Sequence, residues 1–272
     1  MKIVVGSTPD ALAWIDMDLK DLFGKAGGLI EKEPKLIQLP SQGKAVFVGD
    51  THGDLDATQR VFSRYLDKGY TLVFLGDYVD RGSFSRENMD YLLQTKCEHP
   101  EKLILLAGNH EGYLPKPFSP TNFWDALSVK ERELYGTLFA KFPLAVTSGN
   151  GILALHGGLP DLGDLEEINR IQWGDDQWDR ILWGDFVESD ETFLGNWGGR
   201  PQFGRLYFEQ MMDRYQKRVL VRSHQPRAPL YMFNKRCITI FTSYAYMEDR
   251  RVAFVDLEKE ISTAEEITLQ EV

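Results

Sequence analysis

Four of the five histidines in this chain, His52, His110, His156 and His224, fall at or just past the end of a short apolar run, and Asp50, Asp77 and Asn109 do the same. Only His99 lies outside the pattern. Gly49, Gly76 and Gly108 each stand immediately before the polar residue. A lone histidine at a strand end is usually structural, and a lone Gly-Asp is usually a turn. The same placement repeated along five runs is better explained by one site fed from five strand ends. Asp50 and His52 are two apart, so in an extended backbone both side chains face one way and can hold one ion together. The donors are oxygen and imidazole without thiolate, which suits manganese, iron or zinc rather than copper or an iron–sulfur cluster. Six ligands, Asp50, His52, Asp77, Asn109, His156 and His224, exceed one tetrahedral zinc. They divide between two ions a few ångströms apart, the arrangement that clamps the attacking and leaving oxygens of a phosphoryl transfer.

Such a site needs particular elements beneath it. The runs KAVFVGD (44–50), TLVFLGD (71–77), KLILLAGN (102–109), GILALHGG (151–158) and RVLVRSH (218–224) fit strands buried on both faces. Between the first two, Leu55, Phe62 and Leu66 share one helical face, with Asp54 to cap the start and Gly69 the end. Between the second and third, Met89, Leu92, Leu93 and Lys96/Cys97 keep helical spacing until Pro100. This alternation predicts parallel strands with right-handed crossovers, and in such sheets ligands sit beyond the carboxyl ends of the strands. Further on, Pro115, Pro117 and Pro120 mark an irregular loop, and Ser128 and Glu131 open a helix that buries Leu134, Leu138 and Phe142. Asn150-Gly151 predicts a hairpin turn. Residues 160–200 read as loop-rich, with Trp173, Trp178, Trp183 and Trp197 as core and rim rather than a binding cage. A helix over 205–217 and strands near 219–223, 237–242 and 251–256 complete the pattern.

At 272 residues the chain has length for one large domain. We divide it into a 1–43 lead-in of helix plus strand, a 44–257 core and a peripheral acidic tail over 258–272. Hydrophobic residues at 43% and charged residues at 26% exclude disordered, collagenous and coiled-coil classes. A net charge of −10 repels nucleic-acid phosphates and anionic lipid, so neither nucleic acid nor membrane is an expected partner. A phosphorylated substrate would have to be captured by a local cationic centre. Cys97 and Cys237 form no C-x-x-C pair, which removes thiolate zinc sites and thioredoxin-like chemistry. The first twenty residues carry charges too early for a signal-peptide core, and the expected location is a reducing cytoplasm.

The blocks Gly49-Asp50-Thr51-His52-Gly53, Gly76-Asp77-Tyr78-Val79-Asp80-Arg81-Gly82, Gly108-Asn109-His110-Glu111, His156-Gly157-Gly158 and Arg222-Ser223-His224-Gln225 resemble the signature of the phosphoprotein phosphatase family of Ser/Thr phosphatases, within the calcineurin-like metallophosphoesterases. Spacings of 27 from Asp50 to Asp77 and 32 from Asp77 to Asn109 fit that family too. Lesser similarities, at Glu33-Pro34, Leu36-Ile37-Gln38-Leu39, Leu182-Trp183-Gly184-Asp185, Phe203-Gly204 and Ile240-Phe241-Thr242-Ser243, extend the resemblance over roughly residues 30–258. It implies an α/β fold, a β-sandwich of two mixed sheets flanked by helices, with a dinuclear site at the strand ends. Asp50, His52 and Asp77 would bind the first metal; Asp77, Asn109, His156 and His224 the second, with Asp77 as bridge. The ions would be divalent transition metals, manganese first, with iron or zinc as the other choices. A hydroxide shared between them would attack phosphorus directly, without a phosphoenzyme. His110 would protonate the leaving oxygen, Asp80 would hold and charge its ring, and Arg81 would grip the phosphate. Tyr246 would donate to the same phosphate.

The chain departs from the family in several places. Ala107 stands where the family usually has arginine, Ser243-Tyr244-Ala245-Tyr246 replaces a Ser-Ala-Pro-Asn-Tyr run, and Phe186 replaces a proline. Arg200 is the candidate for a second phosphate arginine, although it stands closer to Phe203-Gly204 than the family pattern has it. Asp54-Leu55-Asp56-Ala57-Thr58 matches the D-x-D-x-T string of aspartyl-phosphate phosphatases, but Asp54 opens a helix instead of ending a strand. A cysteine-phosphatase loop would need arginine where Leu103 and Ser243 stand. The expected function is hydrolysis of phosphoserine and phosphothreonine, with phosphotyrosine as an extension, in phosphoprotein substrates. The rival enzyme is a relative acting on dinucleoside polyphosphates or other small phosphoesters. The rival of another class is an inactive phosphoprotein-binding module.

Overall fold

In the computed structural model, which describes residues 19–272, each of the five apolar runs that leads to a chemical residue is a strand. After helix α1 (Leu19–Ile30) and the short β1 (Leu36–Gln38) come β2 (Lys44–Val48), α2 (Leu55–Tyr65), β3 (Thr71–Phe74), α3 (Ser85–Glu98) and β4 (Leu103–Leu105). β2, β3 and β4 are parallel neighbours, in register through Ala45↔Thr71 and Leu72↔Leu103. Their unbroken apolar sequence has a simple cause. Val46, Val48, Leu72 and Phe74 pack against the helices, whereas Ala45, Phe47 and Val73 pack into a second apolar layer.

The Asp54 carboxylate caps α2 at 3.2 Å from the Ala57 N–H, and Gly69 ends the segment with φ +75°. Leu66 is half-buried and packs against the core, because the chain tightens into a 3-10 turn at Leu66–Lys68 and leaves most of the buried face to Ala57, Val61, Phe62 and Tyr65. In α3 the fourth place on the buried face goes to Lys96 rather than Cys97: it is 1% exposed, and its ammonium donates to the carbonyls of Pro100 at 2.9 Å and Leu103 at 2.6 Å and pairs with Glu33. Lys96→Ala should cost about 3 kcal/mol, because it strands a half-buried carboxylate and two carbonyls. Urea denaturation checks this, and a midpoint within error of wild type would refute it.

The second half runs through α4 (Asn122–Ala126), α5 (Val129–Phe139), β5 (Ala145–Thr147), β6 (Ile152–Leu155), α6 (Asp176–Trp183), β7 (Asp185–Phe186), β8 (Phe193–Trp197), β9 (Arg200–Phe203), α7 (Arg205–Arg214), β10 (Val219–Arg222), β11 (Tyr231–Met232), β12 (Cys237–Thr239), β13 (Arg251–Asp256) and β14 (Thr268–Glu271). Ser128 and Glu131 form the expected capping box, but α5 buries Tyr135, Leu138 and Phe139, while Leu134 is half-buried and Phe142 lies past its end. β5 and β6 are the antiparallel hairpin predicted at Asn150-Gly151. The loop-rich stretch holds more order than its composition suggested, namely α6 and the β8–β9 hairpin, with Trp178 buried and Trp197 76% exposed.

Two mixed sheets result, ordered β1-β5-β6-β10-β12-β11 and β14-β13-β2-β3-β4, beside a small β7-β9-β8 sheet. Phe47, Val73, Leu75 and Ile104 of one large sheet share an apolar cluster with Val146, Ala154, Val221 and Ile238 of the other. The acidic tail corrects its reading as a peripheral appendage. Ile261, Ala264 and Ile267 are buried and β14 pairs antiparallel with β13, while Glu258, Glu260, Glu265, Glu266 and Glu271 face solvent. No helix among the described residues is long and apolar enough to cross a membrane. Residues 1–18, which include most of the stretch read against a signal peptide, lie outside the described residues.

Candidate active site

Asp50 and His52 follow β2, Asp77 follows β3, and Asn109 and His110 follow β4, all at the carboxyl edge of one sheet; His156 and His224 follow β6 and β10 of the other. The two edges meet where Asp50 pairs with Phe241 as an isolated bridge. All six proposed ligands are at least 96% buried. Around one point lie His52 Nε2, Asp50 Oδ2 and Asp77 Oδ2, with the imidazole nitrogen 3.6 Å from each carboxylate oxygen. Around a second lie Asn109 Oδ1, His156 Nε2 and His224 Nδ1, mutually 2.8–3.1 Å apart, with Asp77 Oδ2 3.4 Å from His156 Nε2. Asp77 Oδ2 thus belongs to both groups.

The arrangement fits cations. Asp50 Oδ2 is buried with no hydrogen-bond partner among the described residues, a costly state for a carboxylate that a metal ion removes. His52 Nδ1 faces the Val79 carbonyl at 2.9 Å and His156 Nδ1 faces that of Leu75 at 2.8 Å. A carbonyl can only accept, so each ring donates there and keeps its Nε2 lone pair for the cluster. Burial alone would lower the His52 pKa, yet the Asp50 and Asp77 carboxylates, each 3.6 Å from Nε2, raise it to about 9. Burial likewise pushes the Asp77 carboxyl up, but His156, His110 and His52 hold it well below the usual range. The cluster calls for positive charge, which protons supply when metals do not.

His110 sits beside the ligands without joining either triad of short contacts. Its Nδ1 meets Asp80 Oδ2 at 2.7 Å, its Nε2 is 3.9 Å from Asp77 Oδ2, and its backbone N–H donates to Asp77 Oδ1 at 2.9 Å. The other Asp80 oxygen accepts from the Phe123 N–H at 2.8 Å. Phe118 closes on the ring edge-on at 4.7 Å. Burial lowers the His110 pKa, partly opposed by Asp77 and Asp80.

Arg81 and Tyr246, 165 residues apart, are brought together, with Nε donating to the phenol oxygen at 2.6 Å and the Tyr246 ring edge-on to His52 at 5.2 Å. Arg200 Nη2 lies 2.6 Å from His224 Nε2 and 3.0 Å from Asp185 Oδ1, on the outer side of that ring. Ala107 is fully buried and brings no charge.

The backbone here is strained. Of nine non-glycine residues with positive φ among those described, five are His52, Asp77, Asp80, Arg81 and His224. Hydrogen bonds hold them. Glu111 accepts from the Asp77, Gly108 and Tyr78 N–H groups at 2.8–2.9 Å, tying the ends of β3 and β4 together. Burial and the Asp77 charge push its carboxyl up to about 7, against those three donors. Gly76, at φ +103°, packs so closely that a Cβ would run into the Gly108 backbone. Asn122 accepts from Arg81 N–H at 2.6 Å and donates to the Gly82 carbonyl at 3.1 Å. Sequence reasoning missed the roles of Glu111, Asn122 and Asp185. Glu111 and Asp185 stood inside quoted blocks, whereas nothing in spacing pointed to Asn122.

The family model of calcineurin-like phosphoesterases matches residues 43–228. A probable serine/threonine-protein phosphatase of Encephalitozoon cuniculi is 29% identical over 228 residues, covering 78% of this chain and 49% of that protein. A serine/threonine-protein phosphatase of Caenorhabditis elegans is 30% identical over 228 residues, covering 76% and 48%. The chain therefore spans about half the length of the curated relatives it matches. Among solved structures, a protein serine/threonine phosphatase of Saccharomyces cerevisiae with similarity to human phosphatase PP5 superposes with a TM-score of 0.78 at 22% identity, over 93% of this chain and 88% of that one.

Proposed function

Because the chain belongs to the calcineurin-like phosphoesterase family, we propose that it is a metal-dependent phosphomonoester hydrolase acting on phosphoserine and phosphothreonine in proteins, with phosphotyrosine as a further substrate. The observation that carries this reading is the meeting of two pairs, His110 with Asp80 and Arg81 with Tyr246, beside one buried ligand cluster. The naming of the curated relatives supports it.

Asp50, His52 and Asp77 would hold one divalent cation and Asp77, Asn109, His156 and His224 a second, with manganese the first choice and iron or zinc the others. Bound there, the ions supply Lewis acidity toward the phosphoryl oxygens and an ionised water at neutral pH. The chain's own residues do the rest. Arg81 holds phosphate oxygens through its planar guanidinium, and Tyr246 donates its hydroxyl to them. Arg200, against His224 and Asp185, is the candidate for a second guanidinium. His110 delivers a proton from Nε2 to the leaving oxygen, and Asp80 at Nδ1 orients the ring and stabilises its charged form.

The direct test compares kcat/KM on phosphoserine peptides with that on dinucleoside tetraphosphate, using protein loaded with manganese. Phosphopeptides should be the better substrates. Preference for the dinucleotide would place the chain with the small-phosphoester enzymes, and no turnover of either with the metals bound would leave a binding module. Arg81→Ala should lower kcat/KM roughly 10–100-fold, chiefly through KM, since phosphate is gripped in both ground and transition states. Asn122→Ala, which frees the Arg81 backbone, should give a smaller change of the same kind. A neutral Arg81 variant would remove that residue from the site.

A further inference from the structure

His52, whose Nε2 belongs to the cluster, also lines a groove of about 490 Å³ that runs past Gly53 and Gly82. Two exposed aromatic side chains line it as well, Phe84 at 55% and Tyr244 at 56%. His52 links the groove to the site, since its ring is also edge-on to Tyr246 at 5.2 Å, and Tyr244 lies two residues before Tyr246 in the chain.

The polar groups beneath these rings are spent on one another. Arg250, buried, grips Asp54 with Nε at 2.9 Å and Nη2 at 2.6 Å, and its guanidinium stacks under Tyr244 at 3.9 Å from the ring centroid. Asp54 also accepts from the Ala57 N–H at 3.2 Å and the Tyr244 N–H at 3.1 Å. Arg250 pairs with Asp56 too. The buried Arg250–Asp54 pair is thus satisfied internally, and although Asp56 and the exposed Gln59 also line the groove, the large exposed side chains it presents are the two aromatic rings. Phe84 adds a second sign. It holds the N-cap position of α3, where Ser, Thr, Asp or Asn would satisfy a helix N–H, and it makes no capping bond there. Local helix stability has been given up for an exposed ring beside the site.

We propose that this groove receives an apolar side chain of the phosphoprotein substrate within three residues of the phosphorylated one, and that Phe84 and Tyr244 set this preference. The proposal rests on the protein-phosphatase reading above. Three residues of extended chain reach about 10 Å, and His52, shared by the cluster and the groove, is the point from which that reach begins.

The test uses the manganese-loaded protein and a set of phosphoserine peptides in a glycine-serine background, with one leucine or phenylalanine at each position from −3 to +3. The readout is the ratio of kcat/KM for each peptide to that of the unsubstituted peptide, so that changes in absolute rate cancel. At one or two positions the ratio should reach about tenfold, and in Phe84→Ala/Tyr244→Ala it should fall toward one. A flat set of ratios in the wild type, or a preference that survives the double variant, overturns the groove assignment while leaving the phosphatase reading standing. Failure to turn over any phosphopeptide, with dinucleoside tetraphosphate hydrolysed and that hydrolysis weakened in the double variant, overturns both and makes the rings a stacking site for a base.

Discussion

His110→Asn is expected to retain its metals and to lose activity in order of leaving-group basicity. A serine alkoxide is strongly basic, tyrosine leaves with a pKa of about 10, and a nitrophenolate leaves almost unaided. Loss of a general acid costs about 10²–10⁴-fold where the proton is needed. Phosphoserine peptides should show most of that loss, phosphotyrosine peptides less and an activated aryl phosphate least. Nδ1 is committed to Asp80 at 2.7 Å and Nε2 faces the Asp77 oxygen at 3.9 Å, and because His110 also lies close enough to His52 and Asp77 to join a metal group, metal content decides between donor and ligand. Asp80→Asn should follow the same order more mildly, because an amide still accepts from the ring but brings no charge. The measurement is kcat/KM on the three substrates together with metal content. Equal losses across them, or loss of metal from His110→Asn, would sink the assignment and make the ring a ligand or a structural group.

The second large effect belongs to Asp77. One of its oxygens lies 3.6 Å from His52 Nε2 and 3.4 Å from His156 Nε2, so a single atom serves both halves of the cluster. Asp77→Asn replaces a shared anion by an amide that bridges poorly, and should reduce metal content and lower kcat/KM by more than about 10²-fold. Stability gives an independent reading. Cations that bind only the folded chain raise its stability by about 2.7 kcal/mol when free metal is 100 times the dissociation constant. Manganese should therefore raise the melting temperature of the wild type and have a much smaller effect on the variant. A variant that keeps two ions, normal turnover and the full metal-induced shift would end the bridging assignment.

Much of this site was legible because its chemistry sits where buried strands stop. A strand covered on both faces must be apolar throughout, so the first polar residue past its end stands out, as Asp50, Asp77 and Asn109 do. The helices between those strands were legible from spacing and caps. What spacing could not carry was support arriving from a distance. Asn122 reaches Arg81 across 41 residues, and Asp185 meets Arg200 and His224 only because the β7-β9-β8 sheet folds beside β10. The tail misled for a different reason. Its acidic residues dominate the composition, while burial is decided by Ile261, Ala264 and Ile267, three apolar residues that look sparse until their spacing of three is read as one side of a turn.

Four of the proposed ligands, Asp50, His52, Asp77 and Asn109, leave one large sheet, and two, His156 and His224, leave the other. A pair of ions held among them is therefore a rivet through the lip of a sandwich, and a rivet constrains sliding in both directions. If the layers shift, the holes no longer align. The apolar side chains between the sheets, such as Val73, Ala154 and Val221, touch no metal ligand's chemistry, yet their bulk sets how far apart the two lips stand. The distance between the two groups of donors is in this sense written in the filling of the sandwich: a methylene added or removed there is a change of gauge, felt at the rim where the donors stand.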